Sequence, residues 1–272
     1  MKLTINSLSV NTYGSSIDRA IIFIHGFPYD HTMWENQINF LKRDYYCIAY
    51  DIRGLGESYV GDGQYTMEAY VNDLFSIIDE LKLQKPVVCG LSMGGYIALR
   101  AAERNQDKFA GMILCDTRSD SDDNGAKLKR ASGINQINTD GLIKFVDPFV
   151  TNCFAEETPK EKEKMFLTVL NKAHKHDPVG VKGALIAIMS RTDTTSFLPR
   201  VTIPSLILCG SFDKLTPPPL MRAMAEKIPG SEIGIIPQAG HMTPLENPGC
   251  VNDLIAGFLG RIRRIDENEW HT

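Results

Sequence analysis

The sequence predicts an α/β fold: a mostly parallel central sheet flanked by helices and interrupted by an all-helical insert. Three observations carry this. Short, continuous apolar runs recur along the chain, amphipathic helical periods lie between them, and the stretch 118–198 has helical periods but no strand-like run.

The run Ala20-Ile21-Ile22-Phe23-Ile24 is short and rich in β-branched residues, as expected of a strand buried on both faces. Four further runs share this character, and each carries a cysteine: Tyr45-Tyr46-Cys47-Ile48, Val87-Val88-Cys89, Met112-Ile113-Leu114-Cys115 and Leu206-Ile207-Leu208-Cys209. A weaker strand signal covers Glu232 to Ile236. Met67, Val71, Leu74, Ile78 and Leu81 share one helical face, and Thr66 is placed to cap that helix. Leu220, Met224 and Ile228 mark another helix, stopped by Pro229-Gly230. A last helix opens at Asn247-Pro248 and presents Val251, Leu254, Ile255, Phe258, Leu259 and Ile262; Arg261, Arg263 and Arg264 suit its negative end. Alternation of this kind builds a parallel sheet through right-handed crossovers.

The insert begins polar, from Ser119 to Gly125. Its clearest helix starts at Thr158-Pro159-Lys160-Glu161, a capping-box pattern with proline at the first helical position. The expected organisation is a core of residues 1–117 and 199–272, with 118–198 as a helical cap.

Composition excludes several function classes. The 272 residues carry a net charge of −4, which gives no electrostatic case for nucleic acid or an anionic membrane surface. No apolar run approaches the roughly 18 residues of a membrane span. Met1 to Ser7 lacks the apolar stretch of a secretory signal, so a cytoplasmic location is expected. The six cysteines form no C-x-x-C pair, which excludes zinc-ribbon and thioredoxin readings and favours buried, reduced thiols.

Gly90-Leu91-Ser92-Met93-Gly94 follows a strand and precedes the helix-forming run Tyr96 to Glu103. G-x-S-x-G in a strand–turn–helix setting exposes a serine hydroxyl at the sheet's edge, and the helix N-terminus favours an oxyanion there. A plain helix-capping serine is the alternative reading of these residues alone. His25-Gly26-Phe27-Pro28 follows the first buried strand and offers the Phe27 N–H as an oxyanion donor beside that of Met93. His25 is expected to hold this loop by hydrogen bonds.

A serine nucleophile needs an imidazole oriented by a carboxylate. Of six histidines, His241 stands in the glycine loop Gln238-Ala239-Gly240-His241-Met242. His174 and His176 end a helix of the insert; they suggest a metal pair, but no further ligand cluster supports one, and no metal is expected. His271 is expected to be solvated in a polar tail. Asp213 closes a buried strand, and one helix and one strand fit between it and His241. Asp116, after another strand, is a rival acid; it is expected to be structural.

With these residues in place, the chain resembles the α/β-hydrolase fold family over nearly its whole length. The motifs are His25-Gly26-Phe27-Pro28, Asp51 to Ser58, Gly90 to Gly95, Gly210 with Asp213, Thr216-Pro217-Pro218, and Gly240-His241. It is similar to the small carboxylesterase and 3-oxoadipate enol-lactonase branch. The resemblance implies a cofactor-free serine hydrolase of small esters or lactones, with Ser92, Asp213 and His241 catalytic, Phe27 and Met93 forming the oxyanion hole, and the Asp51 to Ser58 loop structural. The implied cap helps form the substrate pocket. Trp34, Phe145, Met165, Phe166 and Met189 are the candidate wall residues, with Phe149 and Phe154 beside them. Perhydrolysis, C–C bond hydrolysis and ligand reception with little turnover remain open on the same residues. The oligomeric state is not set by the sequence.

Overall fold

The computed structural model describes the backbone of residues 1–269 and the side chains of 1–263; the expectation for His271 falls outside them. The chain opens with β1 (Lys2–Ile5) and β2 (Leu8–Tyr13), an antiparallel pair that the apolar-run reading overlooks. Asn6 and Ser7 turn it at φ 48° and 64°, a conformation that asparagine tolerates at a two-residue hairpin. Three strand–helix units follow. They are β3 (Ala20–Ile24) with α1 (Glu35–Leu41), β4 (Tyr46–Tyr50) with α2 (Met67–Glu80), and β5 (Val87–Leu91) with α3 (Met93–Asn105). The strand β6 (Gly111–Cys115) leads into the insert.

The insert contains α4 (Asn124–Asp140), α5 (Leu142–Cys153), α6 (Thr158–Glu161), α7 (Glu163–Ala173) and α8 (Pro178–Met189). The chain then returns to the sheet through β7 (Ser205–Gly210), α9 (Pro218–Ala225), β8 (Glu232–Ile236), α10 (Thr243–Glu246) and α11 (Pro248–Glu269).

Among the described residues the sheet has eight strands, in the order β1-β2-β4-β3-β5-β6-β7-β8. β2 pairs antiparallel with β4, and every pairing from β4 to β8 is parallel. Every residue of β3, β4, β5, β6 and β7 is buried, which is why those runs carry no polar alternation. Their cysteines, Cys47, Cys89, Cys115 and Cys209, are buried and free. The edge strand β8 is only partly covered, and that explains its weaker sequence signal.

Two helix starts follow the expected capping chemistry. The Thr66 side chain accepts from the Ala69 N–H at 3.1 Å, and Asn247 accepts from the Cys250 N–H at 3.3 Å. Thr158 departs from it. Its hydroxyl donates to Glu246 at 2.7 Å instead of capping, and the expected helix breaks at Lys162 into α6 and α7. A buried carboxylate has taken the oxygen that the capping box would use.

The two ends of the insert are tied to each other and, through one guanidinium, to the core. The buried Arg191, just after α8, donates to Asp122 Oδ1 at 2.6 Å and to the Asp120 carbonyl at 2.8 Å. Its guanidinium also lies 4.3 Å from the centroid of the Tyr96 ring on α3. Among the described residues, no helix is long and apolar enough to cross a membrane.

Candidate active site

Because the central strands run parallel, their carboxyl ends bring several loops to one edge of the sheet, where ligand sites of open α/β folds lie. Ser92 sits there between β5 and α3, at φ 52° and ψ −111°. A non-glycine residue at positive φ costs about 1–3 kcal/mol and persists only where its surroundings impose it. Here the Ser92 N–H donates to the Cys115 carbonyl at 2.9 Å, and its own carbonyl accepts from the Thr117 hydroxyl at 2.8 Å. The glycines of the motif permit the close packing behind it. A Cβ on Gly94 would lie 2.2 Å from the Ile24 carbonyl oxygen, and one on Gly90 would lie 2.3 Å from that of Gly94.

Met93 is the first residue of α3, so its N–H belongs to the helix end that lacks an intrahelical partner. The Gly26 to Pro28 loop runs alongside: a Cβ on Gly26 would stand 3.5 Å from Ser92 Cβ. The loop is held from below by His25. The His25 Nδ1–H donates to the Gly26 carbonyl at 2.8 Å, while Nε2 accepts from the Ile52 N–H at 2.8 Å. His176, from the insert, holds it from above. Its Nδ1 accepts from Gly56 N–H at 3.1 Å and its Nε2–H donates to the Pro28 carbonyl at 3.0 Å. Burial lowers the pKa of both histidines, against the pull of nearby Asp30 and Asp51. Neutral rings are what these bonds require, since each ring must keep one nitrogen as an acceptor.

Asp213 and His241 meet directly: Asp213 Oδ2 lies 2.8 Å from His241 Nδ1. Asp213 also accepts from the N–H groups of Leu215 and Thr216 at 2.8 and 3.0 Å, and from the Thr216 hydroxyl at 2.6 Å. Burial alone would raise the Asp213 pKa, but the His241 imidazole and the Thr216 donors hold it down at about 2. The carboxylate is therefore ionised at neutral pH and selects the tautomer with Nδ1 protonated, leaving Nε2 free to accept a proton. Among the described residues no hydrogen bond joins the Ser92 hydroxyl to this ring. Such contacts are often long without substrate.

Asp116 plays a different part. Fully buried at φ 46°, it accepts from the Gly210 N–H at 2.9 Å and from the Thr243 hydroxyl, linking β6 to the loops that carry Asp213 and His241. Burial, then the charges of Asp213 and Cys115, pushes its pKa well above the usual carboxylate range.

Among the described residues, metal-ligating residue types gather at Asp30, His31 and Asp51 and at Asp116, Cys209 and Asp213. In both places protein donors already engage the carboxylates: the His31 N–H and ring bind Asp51, and Thr216, His241, Thr243 and Gly210 surround the second group. His174 and His176 part company, the first facing Asp147 and the second Pro28.

The expected pocket residues scatter. Phe145 and Phe149 of α5 reach the Phe27 ring, with centroids 6.3 and 5.3 Å away. Phe166 is buried against Phe154 at 5.3 Å within the insert. Met165 lines a separate cleft of about 530 Å³ with Thr32, Lys162, Lys172 and Leu245. Met189 is half-buried at the end of α8. Trp34 is fully buried and packs on Phe23, with ring centroids 5.2 Å apart. Asp30 caps the short 3₁₀ turn that carries Trp34, and this fixes the indole in the core.

One residue escaped the sequence reading altogether. Glu246 is fully buried, and its Oε2 accepts from the N–H groups of Gly240 and Met242 at 2.8 and 3.1 Å. Its Oε1 accepts from the Ala155 N–H at 2.8 Å and the Thr158 hydroxyl. Burial raises its pKa, and these four donors oppose the rise. The available signal was a lone carboxylate in the otherwise uncharged segment Met242 to Asn247.

A parallel α/β sheet with a strained serine elbow and an Asp–His pair at its carboxyl edge defines the architecture of the α/β hydrolases. The chain belongs to the alpha/beta hydrolase fold family, whose sequence profile matches residues 19–248. It is 26% identical to 3-oxoadipate enol-lactonase 1 of Acinetobacter baylyi over 94% of each chain. It is 25% identical to 3-oxoadipate enol-lactonase 2 of the same organism, covering 95% of this chain and 96% of the relative. Among solved structures, a thermophilic esterase from Thermogutta terrifontis superposes with a TM-score of 0.91 at 34% identity, covering 96% of this chain and 98% of that one.

Proposed function

We propose that the protein hydrolyses a small carboxylic ester or lactone through an acyl-enzyme, with Ser92 as nucleophile, His241 as base and Asp213 as the acid that orients it. The observation that carries this reading is the Asp213–His241 hydrogen bond of 2.8 Å, at the same sheet edge as a serine held at positive φ. Esterase and enol-lactonase relatives support the ester and lactone substrate class.

In this mechanism His241 Nε2 takes the Ser92 proton as Oγ attacks the carbonyl carbon. The Phe27 and Met93 N–H groups receive the oxyanion. The carbonyl re-forms as the C–O bond to the leaving alkoxide breaks, and His241 returns the proton to it. Water then attacks the acyl-enzyme by the same route, releasing the acid and free serine. Residues 118–198 act as a cap, and through Phe145 and Phe149 they place aromatic rings against Phe27. An acyl group bound there meets an apolar wall, which suits short or medium chains.

Turnover of p-nitrophenyl esters and of simple lactones across acyl length tests the reading. The expected result is hydrolysis that Ser92→Ala abolishes. Hydrolysis that Ser92→Ala leaves intact would overturn it. Peroxide-dependent halide oxidation, run in parallel, separates a perhydrolase on the same residues.

A further inference from the structure

His241 takes its backbone geometry from the helical insert. Three consecutive N–H groups, those of Gly240, His241 and Met242, are all engaged. The outer two donate to Glu246 Oε2, and the central one donates to the Cys153 carbonyl at 2.8 Å. The other Glu246 oxygen holds Ala155 and Thr158, which follow α5. Lys162 closes the arrangement by donating to the Glu246 backbone carbonyl. There is no slack between the two segments. A Cβ on Gly240 would stand 2.5 Å from the Ala155 nitrogen and 2.7 Å from the Phe154 carbonyl carbon.

We propose that Glu246 is a positioning residue for His241, clamping the histidine loop to the insert segment Cys153 to Thr158 so that turnover depends on that segment being seated. The inference rests on the reading of His241 as the catalytic base. Glu246 is too deeply engaged to touch substrate. It acts through the peptide groups on either side of the imidazole, where a carboxylate can accept from both neighbours and still hold the insert with its second oxygen. An amide in its place always turns one NH₂ toward a donor. Thr158 is the insert's side-chain donor to the Glu246 carboxylate, and its hydroxyl serves that carboxylate instead of the helix that it opens.

The test measures kcat per reactive serine, titrated with a fluorophosphonate, for Glu246→Gln, Thr158→Val and the double variant, with folding followed by circular dichroism. A displaced imidazole lowers kcat by between tenfold and about 10²-fold in Glu246→Gln while KM stays within about threefold. Thr158→Val lowers kcat less, and adding it to Glu246→Gln costs little more, because both act through one carboxylate. Folded variants with wild-type kcat per titrated serine would overturn the inference, since a purely structural role changes the melting temperature alone. If Glu246→Gln does not fold, Thr158→Val decides by the same criterion. An unreactive Ser92 in the wild-type protein overturns the triad reading and this inference with it. A reactive Ser92 with unchanged variants overturns the inference only.

Discussion

The carboxyl groups of Asp116 and Asp213 come within 4.8 Å of each other, and the site drives their protonation in opposite directions. Asp213 faces an imidazole, a hydroxyl and two N–H groups, and is held ionised. Asp116 has one N–H, one hydroxyl and the neighbouring negative charge, and is driven toward its neutral form. Like charges this close cannot both ionise cheaply in a buried site, so the environment divides the roles.

That division separates the two candidate acids. Asp213→Asn removes the charge that sets the His241 tautomer, and kcat is expected to fall by about 10³–10⁴-fold. Asp116→Asn replaces a carboxyl whose ionised form the site disfavours by an amide of the same shape, and kcat should stay within about tenfold of wild type. Steady-state kinetics of both variants on one ester checks the assignment. A reversed order of effects would make Asp116 the acid.

The aromatic wall gives a specificity prediction. Phe149 lies 5.3 Å from Phe27, edge to face, and Phe145 stacks on Phe149 at 5.6 Å. Phe149→Ala opens space on the insert side of the Gly26 to Pro28 loop. The preference among p-nitrophenyl esters should shift toward longer acyl chains, with kcat/KM changing by about 10–200-fold per chain length accommodated or lost at most. An unchanged chain-length profile would remove α5 from the pocket.

Buried histidines predict how stability depends on pH. His25 and His176 have folded-state pKa values lowered from 6.5, so the unfolded chain binds more protons than the folded one just below that value. Their contribution is fully present above about pH 6.5 and is lost as pH falls toward the folded pKa. His31, paired with Asp51, has a raised pKa and acts oppositely, contributing below pH 6.5 and losing that contribution as pH rises through its folded value. Glutamine can reproduce both bonds of His176 without titrating. In His176→Gln the loss of melting temperature from pH 7 to 5 should therefore be shallower than in wild type. Equal slopes would show that the folded ring takes up its proton as readily as the unfolded one, so that its pKa is not lowered by folding.

Packing at the elbow predicts a sharp contrast between two glycines. A Cβ at Gly94 meets backbone oxygen at 2.2 Å, and backbone cannot rotate away. Gly94→Ala should cost about 2 kcal/mol or more. Gly249, near the start of α11, has nothing within 4 Å of its ideal Cβ. Gly249→Ala should be neutral or stabilising by up to about 1 kcal/mol. Denaturant titration of the pair distinguishes them.

What the sequence made legible followed from periodicity and from chemistry concentrated in short motifs. The strands β3 to β7 were readable because burial on both faces leaves uninterrupted apolar runs. The Ser92 turn and the Asp213–His241 pairing were readable because each residue closes such a run or stands in a glycine loop. The hairpin of β1 and β2 was missed because β1 is only four residues long and largely solvent-facing. Long-range partners were hidden as well. Glu246 meets Ala155 and Thr158 across 91 and 88 residues, and nothing local announces a contact made only by folding. Trp34 was ambiguous for the same reason, since its position in the core depends on Phe23 and on the cap at Asp30.

The central claim is that Ser92 is a nucleophile activated by His241. Incubation with a fluorophosphonate probe, followed by peptide mapping, tests it most directly. One adduct per chain is expected, on Ser92, formed far more slowly in His241→Ala. An unmodified Ser92, or labelling that proceeds at the same rate without His241, would contradict it.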